Sequence, residues 1–150
     1  MFRGQHVHAI DAKGRTSFPA RFRAVLEARG DLRLFLVPGL DDCVAVFPWA
    51  EWIEFENKLA AMPQFDPNVR KVQRLYVSGA VEAEFDKLGR ILIPQALRNR
   101  AKLGREVLWA GMTKHIELWD RERFEKALEQ DLGTPESQKE LATALAELGL

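Results

Sequence analysis

HAIDAKGRTSFPARFR (residues 8–23) contains the pattern D-x-x-G-R-x-x-x-P-x-x-x-R, which the chain repeats in AEFDKLGRILIPQALR (83–98). The two copies agree at every fixed position when they are aligned at an offset of 75 residues. Further along, residues 34–55 align with residues 106–127 at an offset of 72. Two alignments that occur in the same order predict an internal duplication of a small structural unit.

The charge of the chain is balanced overall but unevenly distributed. The 150 residues include 22 Lys and Arg, 22 Asp and Glu, and 47% hydrophobic residues, which is enough for a globular core. The net charge is +4 over residues 1–40, −4 over 41–65, +5 over 66–116 and −5 over 117–150. The zero total argues against a non-specific nucleic-acid binder, whereas basic blocks that coincide with the two copies suit a local anion site.

Little in the sequence indicates metal, redox or membrane chemistry. A single cysteine, Cys43, excludes a disulfide framework or a zinc cluster. His6 and His8 share one strand face, but a metal site would need another ligand, so strand packing or a phosphate contact is favoured. No apolar run reaches the roughly 18 residues of a membrane span, and the N-terminal residues lack the apolar core of a signal peptide. We therefore expect no metal, no cofactor, no membrane association and a cytoplasmic location.

Each copy predicts the element order β-β-α-β-β-α. Alternating residues predict strands on both sides of the D-x-x-G turn, and a proline ends each return strand. The helices that follow are predicted to end at Gly30 and Gly104. The predicted domains are residues 7–54, residues 82–126 and a C-terminal helical extension, residues 127–150. Repeats this small rarely bury enough apolar surface alone, so they should pack on each other or on other subunits.

The aspartate of each copy has two alternative roles. Asp11 and Asp86 could cap the turn by accepting backbone N–H groups, or they could act as catalytic acids. No serine, histidine or second carboxylate recurs at matched positions in both copies. The turn cap is favoured, with the aspartate also holding the arginine four residues later, and we expect the protein not to be an enzyme.

The arginine of each copy lies where the hairpin tip meets its return strand. Arg15 and Arg90 could form only a local ion pair, which contributes little at a surface. Alternatively, they could present a planar guanidinium to phosphate or to the O6/N7 edge of guanine. Basic neighbours support the second role, and they are Arg3, Lys13, Arg21 and Arg23 in the first copy and Lys87, Arg98, Arg100 and Lys102 in the second. A further basic stripe faces either solvent or phosphate, and consists of Arg70, Lys71 and Arg74.

These motifs resemble the MraZ family of bacterial transcriptional regulators. The hallmark of that family is a D-x-x-x-R motif that occurs twice, and the copies here are DAKGR (11–15) and DKLGR (86–90). The opening MFRG and the x-x-x-P-x-x-x-R continuation extend the resemblance over nearly all of residues 1–126. Residues 133–150 are not part of the signature.

The resemblance implies both a fold and a function. Each half would be similar to an AbrB/SpoVT-type swapped-hairpin domain, giving an α+β chain with a mainly β core. The whole would be a tandem, pseudo-twofold swapped-hairpin barrel with flanking helices. Members of the family form ring-shaped homo-oligomers and bind short direct repeats in the promoter of their own cell-division and cell-wall operon.

The implied partners are double-stranded promoter DNA and other copies of the chain, at the nucleoid, with no small-molecule substrate. Carried over by motif, Asp11, Arg15, Asp86 and Arg90 would contact DNA. With their basic neighbours, the candidate DNA-binding residues are Arg3, Asp11, Lys13, Arg15, Arg21, Arg23, Asp86, Lys87, Arg90 and Arg98. The rival interpretation is an AbrB-like, antitoxin-type interaction scaffold with only secondary DNA binding, although antitoxins of that type are usually short chains with one copy.

Overall fold

A computed structural model describes all residues from 1 to 150 and divides them into two compact units, Met1–Asp120 and Arg121–Leu150. The predicted order β-β-α-β-β-α is confirmed in both halves. The first half contains β1 (Gln5–Ala9), β2 (Arg15–Ser17), α1 (Ala20–Arg29), β3 (Leu34–Pro38), β4 (Cys43–Pro48) and α2 (Trp49–Ala60). A connecting helix, α3 (Pro67–Val72), continues as a π-helical turn (Gln73–Val77). The second half contains β5 (Val81–Ala83), β6 (Arg90–Leu92), α4 (Gln95–Ala101), β7 (Glu106–Met112), β8 (His115–Asp120) and α5 (Arg121–Leu132), and a last helix follows, α6 (Pro135–Glu147).

The strands form one antiparallel six-stranded sheet and one two-stranded ribbon. The order in the large sheet is β1-β7-β8-β4-β3-β5, and the ribbon consists of β2 and β6. The first strand of each repeat therefore pairs with the third strand of the other repeat. In this way β1 pairs with β7, and β5 pairs with β3. The structure is α+β with a mainly β core, as predicted, but the large sheet is open, with β1 and β5 at its edges, rather than closed into a barrel.

The strand register corrects the sequence alignment of β3 with β7 by one residue. Leu36 pairs with Val46, and Trp109 pairs with Leu118. Since Val46 and Leu118 are 72 residues apart, the equivalent of Leu36 is Trp109, at an offset of 73. Leu36 and Trp109 are both fully buried in the same cluster, whereas the offset of 72 would match Leu36 with Leu108 on the other face. A slip of one residue reverses which face a side chain occupies, so the core selects the offset of 73.

The main core is built from equivalent residues of both repeats. It lies between one face of the large sheet and a layer made by the β2–β6 ribbon with α1 and α4. Because each repeat supplies only part of this core, the two repeats depend on each other for burial of apolar surface. The contributions at an offset of 75 are Phe18, Phe22 and Leu26 from the first repeat and Ile93, Leu97 and Ala101 from the second.

The opposite face of the sheet is covered in the first repeat by aromatic side chains. Trp52 on α2 packs with its ring 5.6 Å from those of Phe35 and Phe47, and Tyr76 of the π-helical turn joins the cluster. Trp52, Trp109 and Trp119 are buried, and Trp49 is half-buried.

The predicted helix ends are right for α1 and wrong for α4. Gly30 follows α1 in the left-handed conformation, with φ of 76°. In the second repeat Lys102 takes that conformation, with φ of 54°, so α4 ends before Gly104. The backbone N–H of Gly104 instead donates to Asp120 Oδ1 at 2.9 Å.

The second unit consists of α5 and α6. The C-terminal helix, α6, begins at Pro135, and the Thr134 side chain caps it by accepting from the Ser137 N–H at 3.1 Å. The leucines of this helix, Leu141 and Leu145, are exposed.

Candidate nucleic-acid interface

The first D-x-x-G-R turn is held by a single carboxylate. Asp11 Oδ1 accepts the backbone N–H of Lys13 at 3.0 Å and that of Arg15 at 2.9 Å. Its other oxygen, Oδ2, accepts from Arg15 Nε at 2.8 Å. Asp11 therefore caps the turn and also braces the arginine, as predicted.

The second turn reproduces this geometry. Asp86 Oδ1 accepts the N–H groups of Leu88 and Arg90, both at 2.9 Å, and Asp86 Oδ2 accepts from Arg90 Nε at 2.8 Å. Each brace engages only Nε, so both terminal amino groups of each guanidinium remain available as donors. The repeated aspartate thus orients an arginine fork before any ligand arrives.

The two arginines project from one face of the β2–β6 ribbon. Thr16 and Ile91 pair across the ribbon, and each is 1% exposed because it faces the core. Side chains alternate along a strand, so the neighbouring positions face away from the core. This outer face carries Arg15, Ser17, Arg90 and Leu92.

The register places the two arginines close together. Arg15 lies opposite Leu92, and Arg90 lies opposite Ser17. The arginines are therefore diagonal neighbours, and in antiparallel strands such positions are roughly 7–8 Å apart. A two-stranded antiparallel ribbon has dimensions that the DNA major groove admits.

The two hairpins are locked together at their turns. The Ile93 N–H donates to the carbonyl of Gly14 at 2.8 Å, and the Phe18 N–H donates to the carbonyl of Gly89 at 3.2 Å. Gly14 and Gly89 both have positive φ, at 90° and 75°. Each turn is thus bonded to the return strand of the other repeat, which fixes the relative position of the two braced arginines.

The last arginine of each pattern also lies against the other repeat. Arg98 Nε donates to the Ile93 carbonyl at 2.9 Å, and its guanidinium covers Gly14. Arg23 Nε donates to Glu27 at 3.1 Å, and its guanidinium lies 4.8 Å from the centre of the Phe85 ring. Both arginines are half-buried and help to hold the ribbon, and their contact with DNA stays a prediction.

The other candidate basic residues are exposed but differ in position. Lys13 and Lys87 lie at the two hairpin tips, and Arg21 lies in the first turn of α1. Arg3 lies at the other end of β1 from the turn, next to Gly111 of β7. The structure therefore groups the hairpin residues around the ribbon and separates Arg3 from them. The basic stripe is exposed on α3 and the π-helical turn, and consists of Arg70, Lys71 and Arg74.

Two residues of the outer face, Ser17 and Leu92, were not predicted as part of the interface. Period-two alternation in the return strands was the available signal, because it places position 17 with Arg15 and position 92 with Arg90. Leu92 is 55% exposed although it is apolar.

No group of three or more His, Cys, Asp or Glu side chains is placed to hold a metal ion. His6 packs edge-on against Phe22, with ring centroids 5.0 Å apart, and burial lowers the pKa of His8. Burial also raises the pKa of the Cys43 thiol far above its ordinary value, which keeps the thiol protonated and a poor nucleophile.

None of the helices has the length and apolar composition needed to cross a bilayer.

Acid unfolding should report on the two aspartate turns. Hydrogen bonds from the backbone of Arg15 and Arg90 hold the pKa values of Asp11 and Asp86 below the ordinary value of 3.8. Because these pKa values are depressed in the folded state, the ionised aspartates stabilise the fold at pH values above their ordinary pKa. This stabilisation is lost as the pH falls through the folded-state pKa values.

The double variant Asp11→Asn/Asp86→Asn should therefore be less stable at neutral pH and lose less unfolding free energy below about pH 4. Urea titrations from neutral to acidic pH measure this difference. An equal loss with falling pH in the variant and the unaltered protein would show that these carboxylates do not stabilise the turns as charged groups.

These features define a class of protein: a duplicated β-hairpin chain that presents two aspartate-braced arginines on one ribbon. The family model described as MraZ protein, antitoxin-like, matches the chain twice, over residues 1–75 and 76–146. A transcriptional regulator MraZ of Halothermothrix orenii is 42% identical to this chain over 150 residues, which is the full length of both proteins. A transcriptional regulator MraZ of Thermoanaerobacter pseudethanolicus is also 42% identical to this chain over 150 residues, again the full length of both proteins. A transcriptional regulator MraZ of Desulforamulus reducens is 44% identical over 126 residues, which is 84% of this chain and 86% of that protein. The chain belongs to the MraZ family, which confirms the resemblance seen in the sequence.

Proposed function

We propose that the chain is a sequence-specific DNA-binding transcriptional regulator that acts by occupying its target and not by catalysis. The observation that carries the proposal is the pair of braced arginines, Arg15 and Arg90, on the outer face of one two-stranded ribbon. Arginine donates two parallel hydrogen bonds to guanine O6 and N7 in the major groove. The relatives from Halothermothrix orenii and Thermoanaerobacter pseudethanolicus are named transcriptional regulators, which supports the same assignment.

The architecture is proposed to be of the swapped-hairpin type found in AbrB/SpoVT-like domains. The reciprocal pairing of β1 with β7 and of β5 with β3 supports this relation, because each repeat completes its sheet with a strand from the other. The proposed domains are repeats at residues 7–54 and 82–126 and an extension at residues 127–150. The duplicated chain would then contain both of the hairpin repeats that single-copy domains bring together by forming a dimer.

The target is proposed to be short direct repeats in the promoter of the protein's own cell-division and cell-wall operon. The protein would bind them as a ring of identical chains, at the nucleoid in the cytoplasm. One ribbon offers few base contacts, so binding to a single repeat should be weak. Several ribbons that engage neighbouring repeats at once gain affinity through effective concentration. The DNA-contacting set proposed is Arg3, Asp11, Lys13, Arg15, Arg21, Arg23, Asp86, Lys87, Arg90 and Arg98.

The second candidate is an antitoxin-type interaction scaffold. It is supported by the antitoxin-like description of the family and by three exposed leucines near the C-terminus, which are Leu141 and Leu145 of α6 and Leu148 just after it. In that case the helical extension would bind a protein partner, and DNA would be bound mainly through phosphate attraction.

A mobility-shift titration separates the two candidates. DNA from just upstream of this protein's own gene is compared with scrambled DNA of the same length and composition, at two salt concentrations. We expect a preferential shift of the native fragment that is lost when its direct repeats are altered, and an affinity that falls steeply with salt. Equal, weak shifts of both fragments that disappear at the higher salt would contradict the regulator proposal and favour the scaffold.

A further inference from the structure

The outer face of the ribbon carries an apolar side chain beside only one of its arginines. Leu92 lies directly opposite Arg15, whereas Ser17 holds the equivalent place opposite Arg90. The backbone does not require leucine here, because the first repeat forms the same strand with serine. A single exposed leucine is ordinary on a protein surface, so it is the position of Leu92 across from the arginine that matters.

The ladder of hydrogen bonds sets the distance between these two residues. The Ile93 N–H donates to the Gly14 carbonyl, which makes that neighbouring pair a hydrogen-bonded one. Pairs alternate along an antiparallel ladder, so Arg15 and Leu92 form a non-hydrogen-bonded pair with Cα atoms roughly 4.5 Å apart. Successive bases in one DNA strand rise by about 3.4 Å. The two side chains can therefore reach the same base pair or adjacent ones.

The major groove offers an apolar side chain one apolar group, the C5-methyl of thymine. We propose that Leu92 packs against the methyl group of a thymine next to the base that Arg15 contacts, and that the Arg90–Ser17 pair makes no such contact. The two halves of the ribbon then read DNA differently although their arginines are braced identically. This inference rests on the proposed function, and it names Leu92 as a specificity-determining residue of that site.

Replacing thymine by deoxyuridine in the native upstream fragment tests the proposal, because it removes only the methyl groups. The full chain is titrated against both fragments by fluorescence anisotropy. We expect the unaltered protein to lose about fourfold in affinity for each contacted methyl group, from the free energy of burying one carbon. Leu92→Ser, which introduces the residue of the other repeat, should bind the two fragments equally and with about the weaker of the two affinities.

Matched variants separate this effect from general changes. Leu40→Ala removes a leucine that is 86% exposed in the β3–β4 turn, away from the ribbon, and should retain the full methyl dependence. Ser17→Ala should retain it as well. Leu92→Ala is a second variant at the same position, and thermal unfolding midpoints check that each variant is folded.

The possible outcomes distinguish this inference from the proposed function. Equal affinity of the unaltered protein for the two fragments would overturn the role of Leu92 and leave the regulator proposal intact. Undiminished methyl dependence in both Leu92 variants would also overturn it, since another residue or the shape of the DNA would then be responsible. If the unaltered protein did not prefer the native fragment over scrambled DNA, the proposed function would fail and the inference with it.

Discussion

Arg15→Ala should weaken binding to the native upstream DNA by roughly 5- to 150-fold, equivalent to about 1–3 kcal/mol for one bidentate base contact. The expected loss is large because Asp11 holds the guanidinium through Nε in advance, so little side-chain entropy is lost when the fork meets a base. Titration of native and scrambled DNA by anisotropy measures the change. The affinity for scrambled DNA should fall much less.

Arg15→Lys separates base reading from phosphate attraction. Lysine retains the positive charge but has no planar fork and no Nε to donate to Asp11. If Arg15 reads a base, the lysine variant should lose most of the preference for native DNA while its salt dependence stays nearly unchanged. A lysine variant with unaltered preference would show that position 15 contributes only charge.

Arg90 permits the same measurement in the second repeat. Its brace has the same 2.8 Å distance to Asp86, so Arg90→Ala should produce a loss of similar size if both halves contact DNA. The double variant should then lose nearly all preference for native over scrambled DNA. Arg33→Ala is the matched control, because Arg33 is also held by an aspartate, Asp31, but lies outside the ribbon, before β3. A loss with Arg33→Ala equal to that with Arg15→Ala would indicate a non-specific charge effect.

The sequence predicted the turns well because their chemistry is local. An aspartate that accepts backbone N–H groups, a glycine at positive φ and an arginine four residues after the aspartate lie within one turn. The duplication doubled this signal, so the brace from Asp11 to Arg15 could be expected in both copies. The element order followed for the same reason, since strands and helices are marked by nearby residues.

The remaining features depend on contacts between distant residues. The one-residue shift between β3 and β7 follows from pairing with β4 and β8 and from burial of Leu36 and Trp109, which no local pattern records. The end of α4 was misplaced because Lys102 adopts the left-handed conformation normally taken by glycine. The role of Arg98 in covering Gly14 arises only where the two repeats meet.

The second large effect concerns stability, and three glycines with positive φ provide a graded series for measuring it. Gly30 has φ of 76° with open space where a Cβ would lie, and Gly89 has φ of 75° with only the end of the Arg23 side chain, Nη1, within 3.2 Å. Gly14 has φ of 90°, and an added Cβ would lie 2.7 Å from the Ile93 carbonyl oxygen and 2.6 Å from Arg98 Nε. The backbone strain is similar in all three, so the surroundings decide the differences.

We expect Gly30→Ala to cost about 1–2 kcal/mol, the usual strain of an L-residue in the left-handed region. Gly89→Ala should cost nearly the same, because the arginine end can move aside. Gly14→Ala should cost about 1–3 kcal/mol more, the range found for overpacking against groups that cannot yield. Guanidinium unfolding curves for the three variants and the unaltered protein measure these free energies.

The larger cost at Gly14 follows from the lock between the repeats. A methyl group there would push away the Ile93 carbonyl, and with it the hydrogen bonds that Ile93 makes to Gly14 and to Arg98. Both hairpins meet at this point, so Gly14→Ala should also disturb the spacing of Arg15 and Arg90 and reduce DNA preference under conditions where the variant is still folded. Equal stability losses at Gly14 and Gly30 would mean that the turn can shift without cost, and that the ribbon is not fixed by this contact.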